Sequence, residues 1–399
     1  MRRYLAALVL LLCGGMAFAE TFDEIPFAPM GPTALGKGGT EISDARGWDA
    51  LFSNPAGFSR DPSAFTLSST TAWVYSRPDE LLGLAGQLAS GTGSSSSLIN
   101  FMNNQVTHGG IGAGASWGIG YVGGGLGLGA AFVLDSVMAG PSLLGAAGDP
   151  QLGLGSGLTA TLGFVGGLAI PFEVAGFKVH AGGDVRPMIR VHTLLTNAVA
   201  VNMLNALANG NDVLATLGTA PALYGVGIGI DLGAIAELGW FTVGLSIRDL
   251  GGTQFRYNTT DFSVVEGTLS SSLQFPTTGS LASDQWVIPM DIGVGVTFHP
   301  DFGTFNNVVD PSASLEVRNV VGALAGDASF WSLLHFGIDA RLASFFTLRT
   351  GLNQGYLTAG MGVRFLVFDL NFAVFTRELG QHLGDRPLSG MTIDSSIRW

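Results

Sequence analysis

Beyond about residue 60 the chain settles into segments of roughly ten residues in which apolar side chains take every second place. Tyr224, Val226, Ile228, Ile230 and Leu232 share one face, and Gly225, Gly227, Gly229, Asp231 and Gly233 the other. Phe241, Val243, Leu245 and Ile247 likewise oppose Thr242, Gly244, Ser246 and Arg248, and the pattern returns over 290–298, 357–365 and 368–374. A period of two is that of a β-strand, whose successive side chains point to opposite faces. About fourteen segments can be counted, beginning near residues 63, 109, 124, 156, 176, 223, 238, 286, 312, 334, 345, 356, 367 and 389. An even count suits a closed antiparallel barrel with both ends of the sheet on one side. The predicted links alternate in length: short at 122–123, 173–176, 233–237, 343–344 and 366–367, long at 77–108, 135–155, 190–222 and 250–285. The link at about 299–311 is longer than its place in that alternation calls for.

Composition decides which solvent the apolar faces meet. The chain is 47% hydrophobic and only 12% charged, with a mean hydropathy of +0.40, yet it has no apolar run of spanning length. A soluble sandwich alternates too, but its outer face carries many Lys and Glu, whereas here the non-apolar face is full of Gly. Backbone polar groups in lipid must all be paired, so only helices and closed barrels span it. Aromatics near segment ends (Trp117, Tyr121, Trp240, Phe241, Trp286, Tyr356, Trp399) would form its interfacial girdles. The opposite face carries mixed charges, Lys178, His180, Asp184, Arg186, Asp231, Arg248, Asp291, Glu316, Arg318, Asp339, Arg341, Arg349 and Arg364, which suit a polar lumen. The net charge of −12 argues against nucleic acid.

The ends carry addresses. Arg2 and Arg3, the apolar stretch from Leu5 to Leu12, and Ala17-Phe18-Ala19 before Glu20 read as a signal peptide over 1–19. A lipoprotein signal at Cys13 is the alternative, although Leu12 stands where a small residue is wanted. Cleavage after Ala19 would remove the single cysteine, leaving neither disulfide nor Cys-based metal site. The last segment places Met391, Ile393, Ile397 and Trp399 on one face, and its terminal aromatic, Trp399, resembles the signal read by the outer-membrane barrel assembly machinery.

Residues 20–60 do not alternate. Gly31-Pro32-Thr33-Ala34-Leu35-Gly36-Lys37-Gly38-Gly39-Thr40 leads to Asn54-Pro55-Ala56-Gly57-Phe58 through a charged, turn-rich stretch that cannot face lipid. It is either a spacer or a plug inside the lumen, with Asn54 capping a turn set by Pro55. The paired pattern A-L-G-x-G-G-T and N-P-A-G-F behind a signal peptide resembles the FadL family of outer-membrane transporters of hydrophobic compounds. The family resemblance implies a fourteen-stranded barrel over 61–399, an N-terminal hatch over 20–60 gated near Asn54, Pro55 and Ala56, and short helices in outer loops. It implies passive uptake of hydrophobic molecules, long-chain fatty acids first among them, with aromatic hydrocarbons carried by relatives. It also implies a capture groove in the third and fourth outer loops and a side exit at a kink in the third strand, here near Gly123-Gly124-Gly125. Related barrels with this N-terminal pattern serve secretion.

In the third long link Leu195, Val199, Met203 and Leu207 recur every four residues, an amphipathic helix that either packs on the barrel mouth or walls a capture groove. Phe262 and Phe275 of the next link would complete that groove. A fatty-acid carboxylate would need a cation, and Arg186, Arg190 and Arg248 are the candidates, with lumen carboxylates as their competing partners. No metal spacing joins the six histidines, and no strand–helix context supports a dinucleotide site, so no cofactor, metal or enzyme activity is expected. The expected protein is a monomeric outer-membrane barrel among outer-membrane lipids; a structural, adhesive or secretion-partner barrel and a general porin are the rival readings.

Overall fold

The computed structural model describes residues 21–23, 25–61, 63–77, 104–107, 109–139, 157–194, 214–218, 220–272, 285–320, 329–379 and 382–399, with isolated positions in 80–101, 199–211 and 276–282. The expected signal peptide lies outside the described residues. After a short strand β1 (Thr21–Asp23), the wall begins with β2 (Ala64–Tyr75), β3 (Ile111–Gly123), β4 (Leu126–Met138), β5 (Gly157–Val174), β6 (Phe177–Leu194) and β7 (Pro221–Leu238). It continues through β8 (Phe241–Arg248), β9 (Thr253–Asp261), β10 (Ser280–Leu281), β11 (Gln285–Ile288), β12 (Asp291–Phe298) and β13 (Val309–Val317). β14 (Leu334–Leu342), β15 (Phe346–Asn353), β16 (Tyr356–Phe365), β17 (Phe368–Glu378) and β18 (Pro387–Arg398) complete it.

These segments make a closed antiparallel barrel of fourteen wall strands. β18 pairs with β2 from Gly390↔Tyr75 to Arg398↔Thr66, which closes the ring. β8 and β9 are two halves of one wall strand: β7 pairs its last residues with β8 (Leu232↔Ile247) and its first with β9 (Val226↔Arg256). Asp249, Gly251 and Gly252 break that strand at φ 51, 76 and 82. The next wall strand breaks at the same level, between β11 and β12 at Pro289-Met290. β1 adds itself in parallel to β11, Thr21↔Gln285 to Asp23↔Val287.

Two expectations change. The third wall strand, β4, has no kink, since it pairs with β3 from Gly123↔Leu126 to Ile111↔Met138 and with β5 from Leu126↔Leu168 to Val137↔Gly157. Its glycines serve the hairpin instead, with Gly124 and Gly125 at φ 59 and 90 in a two-residue turn, and the interrupted strands are the seventh and eighth. The turn expected at 233–237 lies within β7, and the chain reverses at Gly239-Trp240, where Gly239 has φ 69.

Links at one rim are short (124–125, 175–176, 239–240, 343–345, 366–367), except that 299–308 holds a 3-10 turn, Gly303–Asn307. At the other rim long links run through 76–110, 139–156, 195–220, 262–279 and 318–333; they carry helices that include α3 (Phe262–Ser272) and α4 (Phe330–Leu333), numbered after two short helices described below. Outward side chains form a continuous apolar belt: Ile228 is 64% exposed and Leu357 74%, while inward Asp231 and Thr358 are buried. An exposed apolar surface of this extent demands an apolar surrounding, because each Å² left in water costs about 25 cal/mol. Phe241 and Phe298 meet at 5.1 Å, and Phe65 and Trp399 at 5.1 Å, at the short-link rim. Trp117 and Trp286 are not part of a rim: Trp117 is exposed in the middle of β3, and Trp286 packs against Tyr257 and His192.

Candidate functional site: the filled lumen

Residues 25–61 pack against inward-facing side chains all round the ring. Helix α1 (Pro32–Gly36) rests on β15 to β18, α2 (Gly47–Ser53) on β2 to β4, and the 3-10 turn Pro55–Ser59 on β3 to β7. Glycines on the inner wall make the room. A methyl group at Gly118 would overlap the Trp48 ring, one at Gly127 would stand 2.6 Å from Phe58, and one at Gly163 2.5 Å from Phe27. These contacts bury Phe27, Trp48, Leu51, Phe52 and Phe58 in one apolar core between segment and wall.

Asn54 is the polar hub. Its side-chain oxygen accepts from Ala56 N–H at 3.1 Å, capping the 3-10 turn that Pro55 begins. Its amide donates to Ile42 O at 3.0 Å and to Leu245 O at 3.2 Å, tying the segment to itself and to β8. The amide fits only because position 233 is Gly, where a Cβ would overlap Oδ1; Gly182 makes the same allowance for Pro55, whose carbonyl would lie 2.5 Å from a Cβ.

A second anchor comes from β13, which β12 separates from β8. Glu316, buried on β13, accepts backbone N–H groups of Glu41, Ile42 and Ser43 on one oxygen at 2.9, 2.6 and 3.3 Å. Three successive N–H groups converging on one carboxylate form an anion nest. Arg318 Nη2 then bridges Gly39 O at 2.6 Å, Glu41 at 3.1 Å and Glu316 at 3.3 Å. Burial raises the Glu41 carboxyl above its usual range, and Arg318 only partly offsets that. Burial alone would raise Asp44 too, but Lys37 at 3.0 Å, with Arg46 and Arg60 close by, holds it down at about 2. Arg60, almost wholly buried, spans from Asp44 to Glu237 of β7 at 3.3 Å, and Ser59 meets His180 at 2.7 Å.

The three arginines singled out in the sequence all have partners inside the protein. Arg186 lies 2.7 Å from Asp231, 3.0 Å from Asp249 and 3.8 Å from Asp184. Asp231 also accepts the Asp249 N–H at 2.8 Å, so this cluster fixes the break between β8 and β9. Arg248 reaches Asp231 at 3.5 Å and Phe27 O at 3.4 Å. Arg190 donates to Thr161 and to Ile25 O, both at 2.9 Å, with its guanidinium 4.6 Å over the Phe255 ring. Of the expected groove residues, Val199 and Phe262 pack around buried Val106 and Leu217 among the long links; Leu195, Met203, Leu207 and Phe275 lie outside the described residues.

The segment leaves two cavities. One, the upper cavity, of about 480 Å³, opens between the segment and residues of β14, β15, β17, β18 and β2; Pro26, Ala28, Met30, Leu35, Trp48 and Phe52 supply its apolar side. The other, of about 660 Å³, lies toward the short-link rim among charged groups that include Lys37, Asp44, Arg349 and Asp369. Thr33, Ala34, Trp48 and Asp49 border both. Arg377, on β17 in the first cavity, went unnoticed in the sequence. It donates to Tyr75 Oη at 3.3 Å and lies 5.3 Å over that ring; its Nη1 is 3.8 Å from Met30 Sδ, and its buried Nε has no hydrogen-bond partner. No carboxylate among the described residues lies within ion-pair distance of it. Extending the alternation of Asp369, Asn371 and Ala373 by two further steps would have placed it on the lumen face.

Wall and lumen together define a closed β-barrel filled by its own N-terminal segment. No family model and no curated protein matches the sequence. Among solved structures, the chain is similar to the P. putida toluene transporter TodX at 14% identity, covering 93% of this chain and 98% of that one with a TM-score of 0.44. It is similar to the Ralstonia pickettii toluene transporter TbuX at 14% identity, with 93% and 98% covered and a TM-score of 0.45. LpxR from Salmonella typhimurium follows at 10% identity, with 83% and 99% covered and a TM-score of 0.30.

Proposed function

We propose that this chain is an outer-membrane channel for passive uptake of hydrophobic molecules, with long-chain fatty acids as its cargo and residues 20–60 as its hatch. The observation that carries the reading is the upper cavity. Its volume falls within the roughly 300–1,000 Å³ of small-molecule sites, and one side is apolar. Arg377, with no carboxylate at ion-pair distance among the described residues, sets a positive charge beside that apolar side, so an acyl chain would lie along Met30, Leu35 and Phe52 while its carboxylate pairs with the guanidinium. Arg186, Arg190 and Arg248, proposed from the sequence as carboxylate partners, would then act by holding the hatch and the strand break. The signal-like leader, the apolar belt and the terminal Trp399 support insertion in the outer membrane by its assembly machinery. Release past the hatch requires Trp48 and Asp49 to part from the wall, with Asn54-Pro55-Ala56 as the fixed end of that movement.

The purified protein in detergent should bind labelled oleate saturably and show little steady ion conductance in planar bilayers. Arg377→Ala should weaken oleate binding by about 10-fold or more, the worth of one charge-assisted hydrogen bond, and leave an uncharged hydrocarbon unaffected. High conductance without lipid binding would make the protein a general porin; neither activity would favour an adhesive or secretion role.

A further inference from the structure

The link at 299–308 is the one long connection among the described residues of the short-link rim, and nothing in hatch or lumen uses it. Its 3-10 turn presents Phe302, Phe305 and Val308, exposed by 54%, 55% and 58%. A 3-10 helix has three residues per turn, so positions 302, 305 and 308 fall in a single stripe. Phe302 and Phe305 meet edge to face at 6.4 Å. Chain geometry also fixes which way the stripe turns. Asn306 accepts the Phe302 N–H at 2.6 Å and donates to Pro300 O and to Asp310, both at 3.0 Å; Asp310 in turn meets His299 at 2.6 Å. Asp310 shares the lumen face of β13 with Ser312, Ser314 and Glu316 by alternation. The polar side of the turn is therefore held toward the lumen axis, and the stripe faces away from it.

What lies beside the stripe identifies its occupant. Val308 O accepts from Ala343 N–H at 2.9 Å, which joins the turn to the neighbouring hairpin, where Phe345 is exposed. On the other side Phe298 packs with Phe241 and Trp240 at the foot of the apolar belt. Three ordered apolar side chains continuous with a lipid-facing belt, backed by polar groups, match the division of an interfacial segment lying in the headgroup–acyl boundary.

We propose that the 299–308 turn is a membrane-interface anchor, its Phe302-Phe305-Val308 stripe seated among the lipid headgroups and upper acyl chains of the leaflet at the short-link rim. A fluorophore on Phe305→Cys and, separately, on exposed Asn307→Cys off the stripe, each in a Cys13→Ser background, reads this directly in phosphatidylcholine vesicles. Heat-modifiable migration on gels reports that each variant is folded. The Phe305 label should be quenched at least about twofold more by a nitroxide lipid labelled near the headgroup than by aqueous iodide, and the Asn307 label the reverse. Equal iodide access at both positions overturns the proposal. Protection of Phe305 from both quenchers that fades on dilution of the protein in lipid also overturns it, because a second copy then covers the stripe. No cargo enters the assay, so its outcome is independent of the transport reading.

Discussion

Asn54 offers the sharpest test of how the lumen segment is held. Asn54→Ala removes two side-chain donors and one acceptor from a wholly buried position, leaving Ile42 O, Leu245 O and Ala56 N–H without these partners. A buried polar group stripped of its partner costs about 1–3 kcal/mol, so the three together cost about 3–6 kcal/mol once some local relaxation is allowed. At about 1.4 kcal/mol per tenfold, docking of the segment weakens by roughly 100-fold to 10,000-fold. The wall does not share that loss, because its fourteen strands pair with one another and not through Asn54. Hydrogen exchange of amides 42–60 should accelerate by that factor while strand amides and heat-modifiable migration stay unchanged. Asn54→Asp sharpens the argument. It preserves shape and the acceptor to Ala56, but sets a carboxylate oxygen about where the amide nitrogen stood, 3.0 Å from Ile42 O, and should be no better than Ala. Wild-type protection in Asn54→Asp would refute the assignment of the amide as the tie.

Two further predictions follow from the same contacts. Gly233→Ala should release the segment much as Asn54→Ala does, because the added methyl takes the place of Asn54 Oδ1; Gly239→Ala, whose methyl meets nothing, should cost only the roughly 1–2 kcal/mol of a non-glycine residue at φ 69, visible as a lower unfolding temperature with normal exchange at 42–60. The Asp44 carboxyl is depressed from 3.8 to about 2 in the folded protein, so its contribution is present above its unfolded value and is lost as pH falls through about 2. Docking of residues 37–46, followed by exchange or by tryptophan emission, should therefore be insensitive to this group from pH 7 down to about 4 and weaken below that; Lys37→Met should shrink that acid-side loss, because it brings the folded value up toward the unfolded one, which sets the onset and is unchanged.

Much of this architecture is written locally. A period of two is a property of neighbouring residues, so Tyr224 to Leu232 and Leu357 to Phe365 announce both a strand and its apolar outward face without reference to anything distant. Short links between such segments mark hairpins for the same reason, and Asn54-Pro55-Ala56 announces a capped turn. Glycine on the lumen face signals room but not what fills it. Its use depends on which residue lies opposite, and that is set by closure of the ring.

What closure decided was every pairing between residues far apart in the chain. Glu316 meets the N–H groups of 41–43 some 270 positions away, and Asn54 meets Leu245 across 191. The third strand's glycines, expected at a kink with the turn before them at 122–123, became the turn itself once the β3–β4 register put Gly124-Gly125 between the strands, and the break in the seventh strand needed Arg186, Asp231 and Asp249 brought together from three strands. The same holds for the arginines: alternation places Arg186, Arg248 and Arg377 on one face of their strands, but charge compensation is a matter of a few ångströms in space. Sequence by itself determined a barrel's outline, its faces and its hairpins; tertiary structure alone decided that residues 25–61 fill the lumen, which lumen charges are matched, and that Arg377 faces a cavity with no carboxylate at ion-pair distance among the described residues.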